Sequence, residues 1–214
     1  MKTEELVSLL ATGAGAVDTS WPARRFSLAL GMGLLGAAVL MVSMLGVRAD
    51  LTFDATEDAM FWVKFAFAAL LAAGSVFAAL RLSRPGAQLS RVPGLLAVPV
   101  LAMWALAAWV LISADPGRRA ELVFGETWIV CPFGIALLSL PVFISVLWAM
   151  KGLAPTRLRL AGAAAGLVSG TLGALVYTLH CPEVAAPFIG VWYVLGMLIP
   201  AGVGALIGPH VLRW

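Results

Sequence analysis

Cys131 and Cys181 are the only two cysteines in the chain, and each is followed at once by proline, in "WIVCPFG" and "LHCPEVA". A pair of thiols can close a disulfide, serve as a reversible oxidation switch, or hold a soft metal ion. His180 stands beside Cys181, and Met41, Met44 and Met60 lie near the same face of the molecule if the apolar runs are helices. Thiolate, imidazole and thioether together suit an ion such as Cu(I). Cys131, Cys181 and His180 are therefore candidate metal ligands, although two cysteines and one histidine fall short of a four-ligand pattern. At this level three readings stay open: structural or inert thiols, a redox switch, and a soft-metal site. No obligatory cofactor is implied.

The prolines indicate how the thiols are presented. Proline suits the first position of a helix, where its missing N–H would go unpaired anyway. With Pro132 in that place, Cys131 caps a helix whose N-terminus favours negative charge beside it. Pro182 has the other common role, just beyond a helix that is ending. The pattern predicts Cys131 as the better nucleophile or ligand and Cys181 as its resolving partner.

The elements that position these residues follow from composition. The 214 residues are 62% hydrophobic and 12% charged, against about half and about a quarter for soluble domains. The apolar residues fall into six runs, 26–47, 59–80, 93–114, 129–150, 160–179 and 188–209. Each is long enough to cross a bilayer, which takes about 20 helical residues. Helices satisfy their own backbone polar groups in lipid, and the alternation of a barrel is absent. The fold class is thus an all-α membrane protein of six transmembrane helices, in a domain 26–214. The first run reads as a retained helix, not a cleaved leader.

An even number of crossings puts both ends on one side. That side carries Lys2, Arg24, Arg25, Arg81, Arg84, Arg91, Lys151, Arg157, Arg159 and Arg213, and the other only Arg48, Arg118 and Arg119. The imbalance predicts that both termini are cytoplasmic. The acids Asp50, Asp54, Glu57, Asp58, Asp115, Glu121, Glu126 and Glu183 lean outward. Cys131 then begins the fourth helix and Cys181 ends the fifth, both at the outer face, where a bacterial periplasm lets disulfides persist. The pI of about 9.2 reflects this topology. A nucleic-acid partner would want a basic patch on a folded polar surface, and none is evident.

Inside the bundle, Gly162, Gly166 and Gly170 form a stripe of small residues, read as tight internal packing with homodimerisation as the other use. Pro99, Pro141 and Pro200 lie within helices and are expected to kink them. Lys64 is the one ionisable residue well inside a run; it is expected to snorkel outward toward Asp58 or Glu57. The tryptophans, Trp214 among them, lie toward run ends as interfacial belts do.

Residues 1–25 form the only sizeable cytoplasmic piece. The spacing of Leu6, Leu9 and Leu10 after Thr3 and Glu5 predicts a short amphipathic helix, cut off by "ATGAG". Such a stripe docks in a partner's groove or lies on the membrane beside Arg24 and Arg25.

The head "MKTEELVSLLA", the six helices, and the single cysteines in "WIVCP" and "LHCPE" resemble the NrsF-type family over essentially the whole chain. These are six-helix membrane anti-sigma factors of bacteria. The resemblance implies a multi-pass inner-membrane protein that sequesters an extracytoplasmic-function sigma factor at the cytoplasmic face. It further implies release when copper-like heavy metal or oxidative stress is sensed through Cys131 and Cys181. Thr3, Glu4, Glu5, Leu6, Leu9 and Leu10 become the sigma-factor contact. Contact with nucleic acid would be indirect, and no enzymatic activity is expected.

Two other function classes compete. A membrane thiol oxidoreductase generally needs Cys-x-x-Cys or a second pair to relay electrons, and this chain has neither. A small transporter or channel usually shows repeated halves and polar groups at the midplane; apart from Lys64 these runs are apolar. His180 and His210 fall on opposite faces, so no Ser/His/Asp set can assemble.

Overall fold

A computed structural model describes residues 3–12, 20–47, 59–84 and 92–213. Lys2, Arg48, Arg91, Asp50, Asp54, Glu57, Asp58, Trp214 and most of the "ATGAG" tract lie outside the described residues. Every regular element among those described is helical: α1 (Thr3–Thr12), α2 (Trp21–Met44), α3 (Ala59–Leu82), α4 (Val92–Ser113), α5 (Arg119–Phe124), α6 (Val130–Lys151), α7 (Leu158–Tyr177), α8 (Ala186–Phe188) and α9 (Val194–Val211). A π turn at Ile189–Tyr193 joins α8 to α9, so that Ala186–Val211 is one continuous rod.

Six of these rods are long and apolar enough to cross a membrane: α2, α3, α4, α6, α7 and Ala186–Val211. They coincide with the six apolar runs. The first starts at Trp21, ahead of the expected 26, because Pro22 occupies its first turn, where proline is pre-organised for a helix. It closes at Gly46, whose φ of +75° lets the N–H fold back to the Met41 carbonyl at 2.9 Å, a left-handed cap that favours glycine.

α7 is the axis of the bundle. Nearly all of its inward residues are small, and almost every residue from Ala161 to Tyr177 is buried. Lipid tails are as apolar as leucine, so helices associate in a bilayer by close packing more than by exclusion from water. The glycine stripe is spent on this. A Cβ on Gly162 would strike the Gly204 carbonyl, one on Gly166 the Pro200 carbonyl, and one on Gly170 the Met197 carbonyl. Gly173 meets the backbone of α6 at Ile135 and Ser139 in the same way. The stripe therefore serves internal packing, and is not free for a second copy.

α2 leans on α6 through Gly33 against Val142 and Gly36 against Pro141. α3 is tied to α7 by a hydrogen bond between Ser75 Oγ and Thr171 Oγ1 at 2.9 Å. α4 is the outlier, burying only Val92, Met103 and Ala107. Its Trp104 indole donates to the Gly190 carbonyl at 2.9 Å, inside the π turn whose widened backbone leaves carbonyls free for such partners. The 115–129 connection is not the plain short loop that polarity suggests. It carries a 3-10 turn at Pro116–Arg118 and α5, and Phe124, Trp128 and Trp192 form an aromatic cluster there.

Candidate functional site

The segment after α7 cannot continue as helix, because Pro182 offers no N–H. The chain tightens through His180 and Cys181, whose N–H groups both donate to the Tyr177 carbonyl at 3.0 Å, and then runs irregularly to α8. The N-terminal end of α6 meets this segment. Cys131 and Cys181 are both fully buried free thiols, and they are neighbours close enough for one to act as hydrogen-bond donor to the other. The two Cys-Pro steps thus converge on one pocket.

Three details bear on the expectations. Cys131 is the second residue of α6 rather than its cap, and its N–H is already engaged with the Thr127 carbonyl at 2.9 Å. Cys131 thus keeps a place in the first turn of α6, without an open N–H of its own. The favoured thiolate is Cys181. The Cys131 thiol as donor is the largest cause, burial opposes it, and the Lys64 ammonium, the Tyr193 hydroxyl and the Glu183 backbone N–H add to it, leaving Cys181 at about 6 from an ordinary 9.0.

Lys64 is the second. It is fully buried, with its ammonium donating to the carbonyls of Cys181 at 2.8 Å and Glu183 at 2.9 Å, in the segment beyond the end of α7. Its suggested acids, Asp58 and Glu57, lie outside the described residues. A lysine at the centre of a membrane helix costs about 2.5–3.5 kcal/mol on insertion scales, and one nearer the end, as Lys64 is in α3, costs less. Hydrogen bonds from a charged donor contribute ~1.5–3 kcal/mol each, so the two carbonyls offset that cost. The ammonium also lies 5.7 Å from the Tyr193 ring centroid, a favourable approach of cation to π face.

His180 is the third. Its Nδ1 pairs with the Gly46 carbonyl at 3.0 Å and its ring packs on Tyr177 at 5.5 Å. Among the described residues no three of His, Cys, Asp and Glu gather as a metal-holding group. Met44 is exposed, and Met41 is buried in the core of α2. Of the described His, Cys, Asp and Glu residues, the two sulfurs are the pair that could take a soft ion here, and their chemistry fits a two-coordinate thiophilic ion.

Sequence reasoning did not find the remainder of the pocket. The chain's two tyrosines, Tyr177 and Tyr193, both line it, 6.1 Å apart. Tyr177 lies over Gly134, where a Cβ would sit 2.7 Å from its ring. Two buried hydroxyls, Thr127 Oγ1 and Tyr193 Oη, have no hydrogen-bond partner among the described residues; Tyr193 Oη faces the Cys181 sulfur without forming a well-shaped bond to it. Glu183 turns its carboxylate to the Glu126 N–H at 2.8 Å, over Gly125. A signal was available: a lysine inside an apolar run needs a partner at its own depth, and the irregular Cys-Pro-Glu segment is one of the few places with spare carbonyls.

The sequence-predicted head residues are elsewhere. Thr3, Glu4, Glu5, Leu6, Leu9 and Leu10 all lie on α1, which buries none of its residues. The arginines Arg24, Arg25, Arg81, Arg84, Arg157, Arg159 and Arg213, with Lys151, gather at the end of the bundle opposite the cysteines.

Three comparisons bear on identity. Residues 10–214 match the family described as negative regulator of sigma F. The chain is 59% identical to the probable anti-sigma-F factor NrsF of Azospira oryzae, and 38% identical to the anti-sigma-F factor NrsF of Caulobacter vibrioides, over the full length of all three proteins. No solved structure matches.

Proposed function

Since this chain belongs to the family of negative regulators of sigma F, we propose that it is an anti-sigma factor that holds its sigma factor at the arginine-rich end of the bundle and frees it when the Cys131–Cys181 pair changes state. The sigma factor is of the extracytoplasmic-function class, and the protein sits in the bacterial inner membrane with both termini in the cytoplasm. One observation carries the reading: two buried thiols adjoin each other in a pocket at one end, while an exposed apolar stripe belongs to the other end of the chain.

The asymmetry of lysine and arginine supports the orientation. α1 supports the contact, since Leu6, Leu9 and Leu10 are all exposed at the i, i+3, i+4 spacing by which a helix enters a partner's groove. Oxidation to a disulfide, or capture of a soft ion such as Cu(I) between the sulfurs, would favour one arrangement of the α6 and α7 ends over another. A ligand or modification shifts a two-state equilibrium only by such a difference.

The test is affinity purification of the tagged protein from its own host in mild detergent, with and without prior exposure to copper or peroxide. A sigma factor is expected to co-purify from unstressed cells and to be lost after stress. In Cys131→Ser and Cys181→Ser it should co-purify under both conditions. Absence of any sigma factor in every sample would refute the anti-sigma reading. Normal release in both serine variants would move the sensing elsewhere.

A further inference from the structure

We infer that Lys64 is the residue that positions Cys181 for union with Cys131, so that a charge on α3 sets how readily the two sulfurs join. The inference rests on the thiol-pair reading above and goes beyond it, because it assigns a task to a third residue on a different helix.

The argument begins with what holds each sulfur. Both are fully buried, but Cys131 is fixed by α6, which continues through it to Lys151. Cys181 has helix on one side of it only. Its N–H still belongs to the last turn of α7, but the chain after it is irregular and Pro182 cannot donate. Two groups from other elements grip this stretch among the described residues. One is the Glu126 N–H on the Glu183 carboxylate. The other is the Lys64 ammonium on the carbonyls of Cys181 and Glu183, on either side of Pro182.

A lysine that only needed to escape lipid would reach for the interface. This one is fully buried and donates to two carbonyls of the cysteine loop. The two carbonyls it holds are not consecutive, so it fixes the direction of the chain through Pro182, and with it the direction of the Cys181 side chain. The Tyr193 ring backs the ammonium at 5.7 Å. Packing alone would not need a charge here. A charge that sharpens geometry does.

Disulfide formation by a diazenedicarboxamide oxidant (diamide) reads this directly. One thiol adds across the N=N bond, giving a sulfenyl hydrazide. The second sulfur displaces the hydrazide, forming the S–S bond. Two electrons pass from sulfur to nitrogen, and the two thiol protons end on the nitrogens of the hydrazine product. The second step needs both sulfurs in line, and misplacement by about 1 Å can cost a hundredfold in such a step.

The experiment treats full-length protein in detergent with diamide, stops it with a thiol-blocking maleimide, and follows the remaining thiols by intact mass. In Lys64→Met the second step, displacement of the hydrazide, should run at least about tenfold more slowly than in wild type, so that the sulfenyl hydrazide adduct accumulates, since orientation is lost. Lys64→Arg, which keeps a charged donor, should recover most of the rate. Thermal unfolding of each variant is measured alongside; a purely structural role would change overall thiol loss in Lys64→Met and Lys64→Arg in proportion to lost stability, through more frequent opening, without accumulation of the hydrazide adduct. If Lys64→Met does not yield a monodisperse protein, Lys64→Gln replaces it under the same criterion. A wild-type rate in the neutral variant overturns the inference and leaves the thiol pair standing. Failure of wild type itself to form the disulfide overturns both.

Discussion

Arg25 reaches from α2 to the far end of the helix that carries Cys131 and stacks on Trp148, its guanidinium carbon 4.0 Å from the ring centroid. The same guanidinium donates to the Trp148 carbonyl at 2.8 Å and the Ala149 carbonyl at 3.2 Å. The last carbonyls of a helix lack intrahelical partners and carry its negative end, so a cation here caps α6 from a different element. The contact joins the helix that follows the head to the helix that begins at the thiol pocket.

Arg25→Ala is expected to destabilise the bundle by about 1–2 kcal/mol, the scale of a partly buried charged hydrogen bond with a cation–π contact. Arg25→Lys should recover less than half, because a lysine cannot fork to two carbonyls and lie flat on an indole. Thermal unfolding in detergent, followed by exposure of the two buried cysteines to a fluorogenic maleimide, checks both. An Arg25→Ala curve that overlays wild type would dismiss the capping role.

The glycine stripe makes a sharper forecast. Gly166→Leu places atoms where the Pro200 carbonyl already stands, and overpacking of this kind costs about 1–3 kcal/mol or more. Gly31→Leu, at a position with nothing within 4 Å, should be close to neutral. Comparing the two unfolding midpoints tests internal packing against general intolerance of bulk.

Gly125 combines two constraints. Its φ of +54° and ψ of −160° lie in a region open essentially to glycine alone, worth about 1–3 kcal/mol of strain for other residues. A Cβ there would also press on the Glu183 carboxylate at 2.6–2.8 Å. Gly125→Ala should lower stability and slow diamide closure of Cys131–Cys181 together, whereas Glu183→Gln should slow closure with a smaller loss of stability. Equal closure rates for all three proteins would show that Glu183 does not brace the loop.

The lowered Cys181 thiol gives a pH dependence. Its value is about 6 in the folded protein, and 9.0 is the ordinary value. Between these limits the unfolded chain binds the proton and the folded one does not, so stability rises with pH. The contribution is complete above pH 9, falls away as pH drops from 9 toward 6, and is gone below 6. Melting midpoints of wild type and Cys181→Ser, measured from pH 5.5 to 9.5, should therefore diverge steadily toward the alkaline side. Parallel curves would refute a stabilised thiolate at Cys181.

How far the sequence could carry the reading is clear from particular residues. All six spans were legible, because a length near 20 apolar residues is a constraint that lipid imposes and tertiary contacts do not relax. The meeting of Cys131 with Cys181 was also legible in outline, since a short turn from α6 to α7 brings the two far ends level. The acceptors of Lys64 could not be read along its own helix, because the Cys181 and Glu183 carbonyls come from the segment beyond α7. The π turn at Ile189–Tyr193 left no mark in hydropathy, and neither did the left-handed Gly125. The first gives a carbonyl to Trp104 and the second lies where the Glu126 N–H meets the Glu183 carboxylate, and both partners are distant in sequence.

The seal on the thiol pocket has a consequence for timing. Cys131 and Cys181 have no exposed surface at all, so a reagent meets them only during the brief local openings that irregular segments undergo. The chance of reaction then accumulates with the duration of exposure rather than with its peak. A detector built this way averages its surroundings: a short spike passes before many molecules have opened, while a lower but persistent insult converts the whole population. That averaging gives the burial of two such reactive groups a use beyond stability.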